Sequence, residues 1–214
     1  MTGVRRLLDD GLGVLAREVA AAGFAAVWAG RAVRPEELVP RRRRRVRRVT
    51  AELVGRGRAE VDEDGRVVGI HGLTLRPSRH GFVHAGRLRQ TWCAYDSIGI
   101  PAALALDAEV RTTCPACGRP LQVAIRGGQP ERSDAALWLP GGEVRHLMSD
   151  FCAAADLFCS RRHLDELVDP AQRPGDVLGL AGAAELGREA WADVAGLDLA
   201  GIDRLPADDA PRAP

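Results

Sequence analysis

The sequence predicts a mixed α+β protein: a small N-terminal helical, winged-helix-like module followed by an irregular mixed-sheet core. Three observations predict it. Leu8, Leu12, Leu15 and Val19 recur at helical spacing. A hairpin signal follows at 59–70, with an acidic, glycine-bearing turn at Asp62, Glu63, Asp64 and Gly65. From residue 73 onward, short β-like runs alternate with glycine, proline and short helical stretches. Divided on this basis, residues 1–72 form the first module, 73–204 the core and 205–214 a disordered, proline- and aspartate-rich tail.

The elements follow in order. Residues 4–30 read as one helix, stopped at Gly30. Pro35 suits the first turn of a short helix that continues through Leu38. After Pro40, the apolar stripe Val46, Val49, Leu53 and Val54 marks a second long helix, which Gly55 and Gly57 close. Its other face carries Arg41, Arg42, Arg43, Arg44, Arg45, Arg47 and Arg48. The whole chain is nearly neutral, at +1, so it is not a general polyanion binder. An arginine run on one helix is usually a solvated face, and a packing or adaptor module is the preferred reading over nucleic-acid contact. Residues 73–83 suggest strands, 91–98 a short helix, and 101–106 a further turn or a continuation past a proline kink. Strands are expected at 110–113, 121–125, 136–139 and 144–147, and helices at 161–167 and 183–194. Gly127-Gly128 and Gly141-Gly142 lack the frame of a phosphate loop and read as turns.

The longest early apolar stretch, 19–29, falls short of the roughly 20 residues a spanning helix needs. Acidic and basic residues precede it, unlike a signal peptide. No membrane partner is expected, and the expected location is the cytoplasm. In that reducing compartment five cysteines are ligands, nucleophiles or buried thiols rather than disulfide staples.

Cys114 and Cys117 form a CxxC with proline and glycine, which is half a zinc knuckle. Cys152 and Cys159 would be the only other close pair, and their spacing is unusual for zinc. The preferred reading over zinc is that Cys114 and Cys117 stabilise a tight β-turn, or that Cys114 is a buried small hydrophobe. His71, His80, His84, His146 and His163 are scattered and read as surface or core residues rather than ligands. Cys93 and Asp96 are i, i+3 neighbours near a helix start, where the helix dipole is expected to lower the thiol pKa. Composition alone would still make Cys93 and Cys152 structural thiols.

The run Gly72-Leu73-Thr74-Leu75-Arg76, then Trp92-Cys93-Ala94-Tyr95-Asp96 with Pro101-Ala102, then Phe151-Cys152, resembles the alkylmercury lyase (organomercurial lyase) family. The firm likeness runs from about Asp62 to about Phe158, and the segment before residue 58 matches only in general shape. The resemblance implies an alkylmercury-lyase-type core and catalytic roles for Cys93, Asp96 and Cys152. It implies a structural role for Cys114. Cys117 and Cys159 are extra relative to the family, and Cys152 is followed by three alanines. The implied reaction is protonolysis of a carbon–mercury bond: two thiolates hold mercury and the aspartate relays the proton. No organic cofactor is implied. Hg(II) is the bound product, low-molecular-weight thiols are the co-reactant, and a mercuric reductase is the implied recipient. Two alternatives stay open: a thiol-based metal-binding or metal-sensing protein on the same scaffold, with or without DNA contact through the arginine run, and a lyase-like enzyme with another substrate.

Overall fold

The computed structural model describes residues 13–169, 172–197 and 199. The expected tail at 205–214 and the first part of the N-terminal helix lie outside them. Among the described residues, no helix is long and apolar enough to cross a membrane.

The chain begins with helix α1 (Val14–Trp28), the short α2 (Pro35–Leu38), a 3-10 turn at Pro40–Arg42 and helix α3 (Arg43–Gly55). Strands β1 (Ala59–Val61), β2 (Val67–Ile70), β3 (Leu73–Thr74), β4 (Gly81–His84) and β5 (Arg87–Thr91) lead into helix α4 (Ala94–Ala103). Strands β6 (Ala108–Thr113), β7 (Pro120–Arg126), β8 (Gln129–Pro130) and β9 (Ala136–Pro140) follow. Then come α5 (Leu147–Asp150), a 3-10 turn at Cys152–Ala154, β10 (Asp156–Phe158), α6 (Arg161–Leu167), β11 (Gly175–Gly179) and α7 (Leu180–Ala190). This is the α+β composition that the sequence predicts.

Among the described residues, the strands form an eight-stranded sheet in the order β1-β2-β3-β5-β4-β6-β7-β8 and a three-stranded sheet in the order β10-β9-β11. Every pairing is antiparallel. The β1–β2 hairpin is the edge of the large sheet, and the β2–β3 pairing carries that sheet across residue 72. Two-residue connections with both residues at positive φ join β2 to β3 through His71 and Gly72, β4 to β5 through Ala85 and Gly86, and β7 to β8 through Gly127 and Gly128. That backbone is the type I′ turn, whose twist matches paired strands.

α1 buries Val19, Phe24, Val27 and Trp28, and a Cβ on Gly23 would lie 3.0 Å from Ile70, so α1 rests directly on β2. α3 turns Val46, Thr50 and Leu53 inward. The arginines of this helix and of the turn before it face outward: Arg42 lies 3.8 Å from Glu18, Arg47 3.2 Å from Glu36 and Arg48 3.5 Å from Glu52. Acidic neighbours thus offset part of the run's charge, as on a solvated face.

α4 is buried along most of its length. It crosses α7 where Gly99 meets Gly187, and a Cβ on either glycine would overlap the other helix's backbone or Trp191. Trp191, just past α7, donates from Nε1 to the His71 carbonyl at 2.8 Å and sits 5.3 Å from the Tyr95 ring. The sheet edge, α4 and α7 are thereby locked together.

Several boundaries differ from expectation for identifiable reasons. The helix expected at 91–98 begins only at Ala94, because β5 pairs Thr91 with Leu73. Pro101 lies inside α4 rather than opening a new turn. The strand expected at 144–147 does not form. The Asp150 carboxylate accepts the backbone N–H groups of Arg145 and His146 at 2.9 and 2.8 Å, winding this segment into the start of α5. The last helix spans Leu180–Ala190 rather than 183–194, preceded by strand β11, which the sequence reading missed.

Candidate active site

Cys93 ends β5's exit and caps α4 with extended backbone (φ −146°, ψ 173°). Its sulfur accepts the Asp96 N–H, while its own N–H donates to Asp96 Oδ2 at 3.1 Å. This is a capping box in which a thiol and an aspartate replace the usual hydroxyl and glutamate. The i, i+3 spacing visible in the sequence is therefore a consequence of helix initiation. Thr91 Oγ1 donates to the Cys93 carbonyl at 3.0 Å and steadies the chain on the other side.

Cys152 arrives from far downstream. Ala94 donates its N–H to the Ala155 carbonyl at 3.2 Å, pinning the 3-10 turn that carries Cys152 against the start of α4. The ligand atoms of Cys93, Asp96 and Cys152 all lie within 4.8 Å of one another, and all three residues are buried. The structure thus brings together the three residues that the sequence reading singled out. Gly72 makes room for them: at φ +91° it takes a backbone most residues avoid, and a Cβ there would sit 3.1 Å from the Asp96 carboxyl carbon.

Burial dominates the electrostatics. It pushes the Asp96 carboxyl up to about 7, against hydrogen bonds from the Cys93 side chain and the Cys93 and Trp92 backbone. The same burial, with Cys152 and the Asp96 charge beside it, raises the Cys93 thiol well above its ordinary value. The expected lowering of Cys93 by the helix dipole is therefore overturned: desolvation in a closed site outweighs a helix terminus. Cys152 is drawn down by its hydrogen bond with Cys93, yet burial and the Asp96 charge leave it above normal.

A cleft of about 220 Å³ opens onto Cys152, lined also by Glu60, Thr74, Arg76, Trp92 and Met148. Glu60 Oε2 accepts a hydrogen bond from Trp92 Nε1 at 2.6 Å, and Arg76 Nε lies 3.7 Å from Glu60 Oε1. Neither Glu60 nor Met148 carried a site signal in the sequence, and Arg76 appeared only as the end of the Gly72–Arg76 run, because each reaches the cleft only through sheet pairing or the wound α5 segment.

The sequence matches the alkylmercury lyase family model over residues 73–192, more than half of the chain. The chain belongs to the alkylmercury lyase family. An alkylmercury lyase of Bacillus cereus is 29% identical over 165 residues, which are 74% of each chain. One from Streptomyces lividans is 30% identical over 167 residues, covering 74% of this chain and 75% of its own. One from Pseudomonas putida is 34% identical over 106 residues, 47% of this chain and 49% of that one. A crystal structure of the mercury-bound form of MerB2 superposes with a TM-score of 0.79 over 88% of this chain and 96% of that one, at 21% identity, and so shares the alkylmercury lyase fold.

Outside the cluster of Cys93, Asp96 and Cys152, His80 is buried with Nδ1 2.7 Å from Thr112 Oγ1 and Nε2 3.6 Å from Asp156 Oδ1. Burial and the Arg79 charge lower it to about 4. His80 and Asp96 make opposite contributions to stability. The Asp96 contribution is full below about 3.8 and is lost as pH rises through about 7. The His80 contribution is full above about 6.5 and is lost as pH falls through about 4. From pH 4 to 6.5 the two offset each other, each by a few kcal/mol. In urea unfolding across a buffer series, Asp96→Asn is expected to lose stability as pH falls through this window, and His80→Gln to lose it as pH rises. Parallel profiles for the two variants would contradict both assignments.

Proposed function

We propose that the protein cleaves organomercurials, R–Hg–X, to a hydrocarbon and Hg(II), using Cys93, Cys152 and Asp96. The observation that carries this reading is the buried cluster of two thiols and a carboxyl at the end of a small cleft. Mercury is a soft cation that prefers sulfur, and two thiolates plus a proton donor are what protonolysis requires.

Cys152 lines the cleft and carries the hydrogen bond from Cys93 that favours its thiolate, so it meets mercury first and displaces X. One proton leaves to solvent with this exchange. Cys93 then adds to the metal, and its proton passes to Asp96, whose pKa near 7 suits both taking and giving a proton at neutral pH. The three-coordinate metal is more electron-rich, and the carbon bound to it gains carbanion character. Asp96 protonates that carbon, and the electron pair of the carbon–mercury bond becomes the new C–H bond. The balance is R–Hg–X plus two thiols giving R–H, Hg(II) held by two thiolates, X⁻ and one proton. External thiols then remove the metal, and no organic cofactor takes part. At about 220 Å³ the cleft suits small organic groups.

The test is headspace detection of benzene or methane from reduced protein given phenylmercury or methylmercury with excess thiol. Cys152→Ala is expected to lose rapid capture of R–Hg. Cys93→Ser is expected to capture one R–Hg yet release hydrocarbon at least ~10²-fold more slowly. Hydrocarbon release at the unmodified rate in either variant would overturn the assignment.

A further inference from the structure

A second cluster of soft ligands lies apart from the lyase site. Cys114 ends β6, and the β6–β7 connection turns back on itself: Gly118, at φ +70°, donates to the Cys114 carbonyl at 2.8 Å, and Cys114 donates to the Arg119 carbonyl at 3.0 Å. This tight turn presents Cys114 and Cys117 on one side. Facing it, Cys159 follows β10 directly, and His163 lies in the first turn of α6, whose start is set by Ser160 Oγ accepting the His163 N–H at 3.3 Å. The chain thus supplies C-x2-C from a β-turn and C-x3-H from a strand end and helix start, which is ligand spacing for a structural zinc site.

The sulfur atoms of Cys114, Cys117 and Cys159 and a ring nitrogen of His163 all lie within 4.8 Å of one another. Around tetrahedral zinc, bonds of about 2.3 Å to sulfur and 2.0 Å to nitrogen put ligand atoms roughly 3.5–3.8 Å apart. Cys117 Sγ to Cys159 Sγ is 3.9 Å and Cys114 Sγ to His163 Nδ1 is 3.7 Å. Cys159 Sγ to His163 Nδ1, at 2.9 Å, must open by well under an ångström. Backbone N–H groups of Cys159, Cys117 and Ala116 point at the Cys114 sulfur, the support a metal-bound thiolate receives from its surroundings. The Arg119 side chain reaches Cys159 and offsets the surplus negative charge of three thiolates around a dication. Beneath the cluster lies the smaller apolar core of Ala136, Trp138, Phe158, Leu164 and Val168.

We propose that Cys114, Cys117, Cys159 and His163 form a structural site for one divalent zinc ion, which clamps the β6–β7 turn to the β10–α6 segment. The four-cysteine arrangement with Cys152 is excluded by placement, since Cys152 faces Cys93; His163 is the fourth ligand instead. Cys159 stands seven positions after Cys152, so the clamp also anchors the segment that carries a thiol of the lyase site.

The test is metal analysis of the full chain purified under reducing conditions, with cobalt(II) replacing zinc in a parallel sample. One zinc per chain is expected, together with the thiolate-to-cobalt absorption and visible bands of a tetrahedral site. Both should persist in the Cys93→Ser/Cys152→Ala double variant. Both should be lost in His163→Ala and in Cys117→Ser, the latter removing an exposed ligand that the core does not need. Stripping zinc with a chelator should lower the unfolding temperature of the parent protein but not of Cys117→Ser. Absence of bound zinc and of cobalt bands, or bands that vanish with Cys93 and Cys152 and survive Cys117→Ser, would overturn the proposal while leaving the lyase reading untouched.

Discussion

Asparagine at position 96 is expected to stop hydrocarbon release while leaving mercury capture intact. Asp96 is the one carboxyl in the cluster of Cys93, Asp96 and Cys152, and burial holds its pKa near 7. Asparagine keeps the size and accepts the same Cys93 N–H, so the capping box and the start of α4 survive. It cannot carry the proton that the departing carbon needs. General acid–base catalysis contributes about 10²–10⁴-fold, and the rate of benzene release is expected to fall by that factor. Stoichiometric retention of Hg(II) by the same variant, measured after removal of free thiol, distinguishes this from a collapsed site. Turnover at the parent rate would remove Asp96 from the proton path.

The second large effect is on stability. Valine at Gly187 is expected to destabilise the protein by roughly 3–5 kcal/mol, at the top of the range for point substitutions. The obstacle there is the backbone of Gly99, not a side chain that can rotate away. α7 would have to lift from α4, withdrawing Trp191 from Tyr95 and from the His71 carbonyl. The urea midpoint should drop sharply. Activity should fall as well, because Cys93 and Asp96 stand on the first turn of α4. A variant with the parent's midpoint would show that the two helices can separate at little cost. Alanine at Gly99 should show the same direction, since Trp191 and α7 close over it.

How much was legible in the sequence depended on the range of the interaction. Cys93 and Asp96 could be paired from spacing alone, because one turn of helix makes them neighbours. The hairpin at 59–70 and the turn at Gly127-Gly128 were legible for a similar reason: tight reversals demand glycine or short acidic residues within a few positions. Cys152 needed the family resemblance, since nothing local tells a thiol which distant helix it will face. In the sequence His163 is one scattered histidine among several and Cys159 stands nearest Cys152; their common target, the Cys114 turn, becomes a neighbour only after β10 pairs with β9. β11 was missed because Gly175 and Gly179 bound only three apolar or acidic positions, too few for an alternation to be visible. At 144–147 local propensity was overridden by one carboxylate, that of Asp150, accepting two amides. The depressed thiol pKa expected at Cys93 failed because the depth of burial is a property of the whole core, which a helix start cannot report.

The glycine-to-glycine crossing of α4 and α7 also sets an order of events on the ribosome. The helix that carries Cys93 and Asp96 is translated long before its partner. Until Gly187 and Trp191 emerge from the exit tunnel, Gly99 and the face of Tyr95 that Trp191 covers lack that partner. A nascent chain that already holds both reactive thiols therefore passes through a window in which they lie near an uncapped apolar helix. A soft metal ion present during synthesis would meet them there, before the folded enclosure exists.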